Sequence, residues 1–445
     1  MSTCNDIRYL IDVQDKNITF LPGCVTLGVY KKQPCKFISG ELTYDPTHCE
    51  KCGVKNENYT VIKNGKQESR ITLPMTGTSL TFLKLKKQRF YCRECHSSFT
   101  ARTSIVETNC HISNQSKAMI IIKSAEAYSV KSLSKDCSVS WHTAQRVIDK
   151  TARSINHHHH QKLPKNLSFD EFKYAKGMMA FEYIDAETGD ILDILEKRTS
   201  CFIKSHFITN YSLEDRRNVQ TVTIDMNAGY AKVIADIFPQ AEIIIDRFHL
   251  VQLINRSMNQ TRVKVMNRFK TSNNENMKKY RRLKRYWKLI LKNEMKLSTT
   301  EYRYYSLFGQ RLEKAIVEEM LDYDPELRAN YELYQRLLQA ISKKQFKALE
   351  LVLKERSSSL ISSQMRTSLK TLRKHLPYIK NSFRYPYNNG RIEGINNKIK
   401  VLCKVAYGYR NFYNYKQRIM IHFKFRAKET NSIISNQKKS RFQAA

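Results

Sequence analysis

Three acidic positions and four cysteines are spaced for chemistry in this 445-residue chain. Asp170 lies within the alternating run SFDEFKYA, Asp225 closes the short apolar run TVTID, and Glu393 lies in NNGRIEGINNKIK. Carboxylates so placed can hold two divalent cations, which activate a water or a 3′-hydroxyl and stabilise the leaving oxygen of a phosphodiester. Taken singly, each reads as a solvated charge. Glu171 and Asp185 are also near enough in sequence to offer alternative ligands.

The cysteines form two knuckles, Cys49-x-x-Cys52 and Cys92-x-x-Cys95, with Gly53 just after the first. Each CxxC turn offers two thiolates to one ion, and two turns complete a tetrahedral Cys₄ zinc site. A closed Cys₄ shell leaves no open position, so the metal would be structural. The intervening runs ESRITLPM and TFLKLKKQRF predict a hairpin, as in a zinc ribbon. The competing reading is a coincidence of reduced cysteines. On these strands Lys84, Lys86, Lys87, Arg89, Arg93 and Arg102 alternate with Phe82, Phe90, Tyr91 and Phe99, a mixture suited to phosphate contact or to a plain solvated face.

Elements must position these groups. Val, Ile, Thr, Tyr and Phe broken by Gly and Pro over 17–45 predict short strands, and 45–101 reads as the zinc module. From Leu167, SFDEFKYA, GMMAFEYIDAE and DILDILEK predict a three-strand antiparallel meander. TVTID and AEIIID, separated by a helix near 229–238, predict buried parallel strands. Nothing from 250 to 380 reads as strand. This helical block is basic, with only Glu275 and Glu294 against the Lys and Arg of 261–300. In the last helical run Ile392, Ile395, Ile399 and Leu402 share one face, and Glu393, Asn396, Asn397 and Lys400 share the other.

Within 112–155, Leu133, Val139, Ala144, Val147 and Ile148 recur at helical spacing. A turn at Asp136-Cys137-Ser138 and an N-cap at Ser140 complete the outline of a helix-turn-helix. Trp141, His142, Gln145, Arg146 and Lys150 are then the outward groups that reach bases or phosphates; an ordinary helical hairpin has the same spacing. The tract Asn156–His160, before Pro164, reads as a linker, and His157–His160 receive no role.

Lys+Arg number 77 against 41 Asp+Glu, a formal charge of +36, and this excess calls for an anionic partner, of which nucleic acid is the usual one. A fibrous or collagen-like protein is excluded. The first residues carry Asp6, Asp12 and Asp15 and no uninterrupted apolar run, so no signal peptide is expected. No run approaches a membrane span. The 11 cysteines, seven of them scattered singly, read as reduced thiols in a cytosol.

The ordered string FDEFKYAKGMMAFEYIDAETGDILDILEKR, TIDMNAGY, IIIDRFH and NNGRIEGINNKIKVLCKVAYGYRNFYNYKQRI resembles the DDE transposases of the ISL3 insertion-sequence family over most of the chain. The resemblance implies a multidomain α/β protein. A small zinc ribbon and a helix-turn-helix would precede an RNase H-like mixed sheet that carries a large helical insertion. The triad then falls on Asp170, Asp225 and Glu393, with Mg²⁺ or Mn²⁺ as cofactor, and Asp246 and His249 of the Asp-x-x-His motif support it. Expected segments are 1–44 strand-rich, 45–101 zinc ribbon, 112–155 helix-turn-helix, 167–250 catalytic, 251–380 basic insertion, 381–430 catalytic with the Glu helix, and 431–445 polar tail. Expected partners are insertion-sequence ends and target DNA, with at least a dimer in the active complex, no membrane, and a cytoplasmic, nucleoid-associated location. Lys86, Lys87, Arg89, Arg391, Lys400 and Arg410 are further DNA contacts. A non-enzymatic DNA-binding regulator would explain charge and zinc but not the spaced acids. A nuclease without strand transfer would explain the acids but needs no two-part binding region.

Overall fold

The computed structural model describes residues 3–159, 162–226, 228–356 and 358–425, so the expected tail 431–445 and His160 lie outside the described residues. Two compact units result. One holds the chain to His159, Tyr174–Lys176 and the chain from Asn397; the other holds 160–173 and Gly177–Asn396. The helix Gly390–Val405 is therefore shared between units, so the segment 381–430, expected to be wholly catalytic, is divided after Asn396.

In the first unit β1 (Ile18–Thr19), β2 (Val25–Tyr30), β3 (Gln33–Leu42), β4 (Val61–Thr76), β5 (Ser79–Cys92) and β6 (Ser98–Thr100) form one sheet. The expected hairpin is β4–β5, antiparallel and turned at Gly77, whose φ of +66° suits glycine. β3 runs parallel to β5 and carries β1 and β2 on its other edge. The segment 1–44, expected to stand apart from the ribbon, thus shares its sheet. Its Val13, Ile18 and Phe20 join Leu83, Leu85 and Phe90 in one core, each contributing roughly 1.5–3 kcal/mol by burial.

Helices Asn114–Ala125, Val130–Asp136 and Trp141–His159 follow. Ser138 takes φ +57° at the turn, and the Ser140 hydroxyl accepts the Thr143 amide at 3.2 Å, an N-cap as expected. The third helix continues to His159, so the linker read from Asn156 is helix there. Ile120, Leu133, Cys137, Ala144 and Ile148 bury their shared face together with Ile421, from a helix over 412–425. That C-terminal helix also supplies Arg418, 1% exposed, whose guanidinium donates to the carbonyls of Ser124, Glu126 (2.7 Å) and Tyr128 (2.8 Å). These are carbonyls of the last turn and cap of Asn114–Ala125 and of the loop after it, which the helix cannot satisfy internally. Arg418→Met should strand them without water and lower stability by about 3 kcal/mol, read as a fall in the unfolding midpoint of the first unit.

In the second unit β7 (Asn166–Ala175), β8 (Met178–Asp185), β9 (Ile191–Leu195), β10 (Thr221–Ile224) and β11 (Glu242–Ile245) stand in the order β11-β10-β7-β8-β9. β10 is parallel to β7 and β11, while β8 and β9 are antiparallel, the mixed order of an RNase H-like sheet. Period-two alternation sends Leu167, Phe169, Val222 and Ile224 into the main core. Ser168, Asp170 and Thr223 point to the opposite face.

Between β11 and the Glu393 helix lies the helical block, from Arg247–Arg268 to Leu376–Arg384. Read as strand-free, it contains one small antiparallel hairpin, β12 (Arg303–Tyr305) with β13 (Gly309–Arg311), too short and too polar to show a strand pattern. Much of its positive charge is met internally. Lys264 and Arg268 pair with Asp324 and Glu326, Arg282 with Glu319 (2.6 Å), and Lys292 with Glu313 (2.5 Å). The acids lie beyond residue 300, so the basic window was a local count that the fold partly cancels.

Candidate active site and nucleic-acid surface

The strand ends and the Glu393 helix bring the acids together. Asp225, just past β10, meets His249 Nε2 at 2.7 Å, and the same nitrogen lies 3.9 Å from Glu393 Oε1. Asp246, His249 and Glu393 offer ligand atoms that lie within 4.8 Å of one another. Asp246 is 4% exposed, and both its oxygens are engaged by backbone amides: Phe248 at 3.1 Å, as the N-cap of Arg247–Arg268, and Asn389 at 3.2 Å. One acceptor site on each of its oxygens is thus used to build the site, whereas Asp225 and Glu393 are more exposed.

Asp170 stands on β7, next to β10 in the sheet. Its oxygens accept the Glu171 amide (2.7 Å) and the Asn396 side-chain amide (2.8 Å). Burial pushes its carboxyl up to about 6; the Asp225 charge adds to the rise, and the two hydrogen bonds and His249 oppose it. The alternative ligands are otherwise occupied. Glu171 pairs with Arg198 and accepts from Tyr230, and Asp185 accepts the amides of Glu187 (2.7 Å) and Thr188 (3.3 Å) in its own turn.

Three contributors were missed in the sequence. Asn389, fully buried, donates its amide to Asp246 and reaches Phe169 O and Asp225 Oδ1 with Nδ2, each at 3.4 Å. Asn396, placed on the Glu393 side of its helix but given no role, is 6% exposed and faces Asp170. Both lie one helical turn from Glu393, a spacing that puts them on its face, so the i−4 and i+3 asparagines were the available signal. Glu182 on β8 is fully buried, and neither oxygen finds a hydrogen-bond partner among the described residues. Burial first, and the Asp170 charge second, push its carboxyl well up, which favours the neutral form.

In the first unit, Cys49 Sγ lies 3.8 Å from Cys95 Sγ and Cys52 Sγ 3.8 Å from Cys92 Sγ, and the four sulfurs lie within 4.8 Å of one another. Edges near 3.8 Å follow from ~2.3 Å Zn–S bonds at tetrahedral angles, so the residues fit the ion. Each knuckle turns through a left-handed residue, Gly53 at φ +76° and His96 at +51°.

A transposase family of the ISL3 type matches residues 167–419, more than half of the chain. The chain belongs to the ISL3 family of DDE transposases. The zinc-finger of transposase IS204/IS1001/IS1096/IS1165 matches residues 45–95, which makes the Cys₄ cluster the structural zinc site of a transposase zinc ribbon. The transposase for insertion sequence element IS1001 of Bordetella parapertussis is 24% identical over 404 residues, 87% of this chain and 89% of that one. A Lactococcus lactis subsp. lactis protein described as an ATP-dependent protease is 42% identical over 109 residues. That match spans 24% of this chain and only 34% of that protein's length, so it concerns one segment of each.

The transposase's expected DNA contacts are dispersed over both units. Trp141, His142, Arg146 and Lys150 are exposed on the third helix, while Ala144 and Ile148 are buried. Lys150 pairs with Glu107 at 3.3 Å, and Gln145 donates to Asp149 at 2.8 Å. On β5 Lys86 is exposed between Glu41 and Glu68 of the flanking strands, Arg89 is exposed, and the Lys87 amine is pulled down by burial. Arg391 is exposed and touches the Ala186 carbonyl (3.4 Å); Lys400 and Arg410 are exposed in the other unit. No helix among the described residues is long and apolar enough to cross a membrane.

The site also has a pH signature. Asp170 titrates near 6 when folded and at the ordinary 3.8 when unfolded, so the folded state retains a proton between them. Stability without metal therefore falls as pH rises from about 4 through 6, by at most about 3 kcal/mol. His249 is raised, chiefly by its hydrogen bond with Asp225, and contributes stability that is present below its unfolded value and lost above its folded one. Both signs agree. Metal-free protein should melt at a lower temperature at pH 8 than at pH 5.5, and Asp170→Asn should flatten that dependence in a thermal scan.

Proposed function

We propose that this transposase binds the terminal inverted repeats of its insertion sequence, hydrolyses a strand at each end and joins the freed 3′-hydroxyl to target DNA. The observation that carries this is the convergence of Asp225 and Glu393 on His249, with Asp170 on the adjoining strand and near enough to Asp225 to feel its charge. Three separate elements delivering acids to one place cost electrostatic repulsion, which a divalent cation would relieve. Asp170, Asp225 and Glu393 would hold Mg²⁺ or Mn²⁺. When bound, such cations polarise the phosphoryl oxygen and lower the pKa of the attacking hydroxyl.

The chain's own residues supply the rest. Asn396 and the Glu171 amide fix Asp170, and Asn389 fixes Asp225 and Asp246, so the acids need no rearrangement during reaction. His249, whose imidazole is raised chiefly by its hydrogen bond with Asp225, would offer a donor beside a scissile phosphate. Arg391 and Lys400 flank Glu393 on its own helix with charge for the DNA backbone. The zinc ribbon and helix-turn-helix bind the ends, and joining two ends requires at least two copies in the active complex.

Supercoiled plasmid carrying the element's ends tests this reading. Wild-type protein with Mg²⁺ should nick at the 3′ ends of the element and yield joined products, and EDTA should abolish both. Tight, repeat-specific binding with no nicking would instead establish a regulator. Nicks without joined products would establish a nuclease.

A further inference from the structure

The first unit contains a cleft of about 830 Å³ between the ribbon sheet and the turn that leads into the third helix of the helix-turn-helix. On the sheet side stand Tyr30 and Lys31 at the β2–β3 turn and Arg70 on β4; on the helical side stand Lys135, Ser138 and Ser140. None of these residues was read as a DNA contact from the sequence, because they come from three separate stretches of chain.

Its chemistry is cationic and aromatic. The Arg70 guanidinium lies 4.6 Å from the Tyr30 ring centre and 5.4 Å from that of Phe82, and Tyr30 meets Phe82 edge-on at 5.0 Å. Stacking of this kind, with the Arg70 Nη2 donating to the Tyr30 hydroxyl at 3.4 Å, holds the guanidinium fork in place. The Lys31 ammonium lies 5.5 Å from the Tyr30 ring centre. Among the described residues no carboxylate pairs with Lys31, Arg70 or Lys135. The one acid in the lining, Asp136, is already neutralised by Lys123 at 2.6 Å. The Ser138 hydroxyl is buried at the cleft with no partner, and a 19-residue helix presents its amide end there behind Ser140. Cations without acids, an unpaired hydroxyl and a helix N-terminus all favour an anion.

We propose that this cleft is a second DNA-binding surface, which seats the phosphodiester backbone flanking the base pairs read by the third helix, with Lys31, Arg70 and Lys135 as the phosphate contacts. The inference rests on the reading of that helix as the DNA-recognition helix. Its consequence is that ribbon sheet and helix-turn-helix act as one reader: the helix specifies sequence, and the cleft fixes register on the strand beside it.

The test uses the full-length, zinc-loaded chain and a labelled duplex of the inverted repeat, with affinity measured across a salt series. The triple variant Lys31→Glu/Arg70→Gln/Lys135→Glu should bind roughly tenfold or more weakly. It should lose affinity equally for repeat and scrambled duplex, and flatten the slope of log K against log salt by roughly one per cation removed. Hydroxyl-radical protection should disappear at the phosphates adjoining the recognition site and persist elsewhere. Lys31→Glu and Lys135→Glu singly, both at exposed positions outside any core, should each give about a third of the slope change. Arg146→Ala should instead lose discrimination between repeat and scrambled duplex. If Arg146→Ala loses discrimination while the cleft variants keep wild-type affinity, slope and protection, the cleft proposal is overturned and the recognition helix stands. If neither class changes binding, the reading of the helix itself fails.

Discussion

Asp225→Ala is expected to lower Mg²⁺-dependent strand cleavage by about 10³-fold or more while leaving affinity for the element's ends within about twofold. The size follows from removing a metal ligand, which withdraws several kcal/mol of transition-state stabilisation at 1.36 kcal/mol per tenfold in rate. Binding should survive because Asp225 is partly exposed just past a strand and its recorded partners are His249 and Asn389, not the core. A second readout separates loss of a ligand from loss of fold. With its leading partner gone, the His249 imidazole should titrate closer to the ordinary range, which NMR of the ring protons would show. Asp246→Ala supplies the contrast. It removes an N-cap and strands the Asn389 amide, so it should cost about 1–3 kcal/mol of stability as well as activity. Normal cleavage by Asp225→Ala would sink the triad assignment.

Removal of zinc is expected to unfold the ribbon sheet and abolish DNA binding by the first unit. Structural zinc contributes on the order of 10–16 kcal/mol, comparable to or above the 5–15 kcal/mol of a whole domain. Cys92 ends β5, the strand that pairs with β3, β4 and β6, so losing the metal frees the centre of the sheet rather than its margin. It also leaves the thiols of Cys49 and Cys92 buried without a ligand. Cys92→Ser, or a strong chelator, should release one zinc per chain by elemental analysis and lose the ribbon sheet's share of the strand signal by circular dichroism. A separate thermal transition should persist for the unit that carries Asp170, Asp225 and Glu393. Retention of a folded ribbon and of DNA affinity without zinc would overturn the structural role.

Local features were well legible. The two CxxC knuckles, the meander SFDEFKYA to DILDILEK, the parallel strands ending at Asp225 and Asp246, and the stripe of Ile392, Ile395, Ile399 and Leu402 all emerge where spacing placed them. Each is encoded by a period of two or 3.6, or by a tight turn, and reads directly along the chain. Asn396 shows where that reading stops. Its helical position placed it beside Glu393, but whether that side met solvent or Asp170 depended on what packs there.

The sequence by itself thus determined the chemical inventory: four thiols spaced for one ion, three acids on separate elements, and a charge of +36 suited to a polyanion. The tertiary structure alone decided the partnerships. It set β3 against β5, completed the helix-turn-helix core with Ile421, committed Asp246 to backbone amides, and cancelled part of the basic insertion with acids beyond residue 300. It also assembled Lys31, Arg70 and Lys135 around one cleft. The reason is physical. Propensity and periodicity act within a turn or a strand, whereas these contacts join residues tens to hundreds of positions apart. Such contacts form only when buried area and satisfied polar groups outweigh the entropy of closing the loops between them.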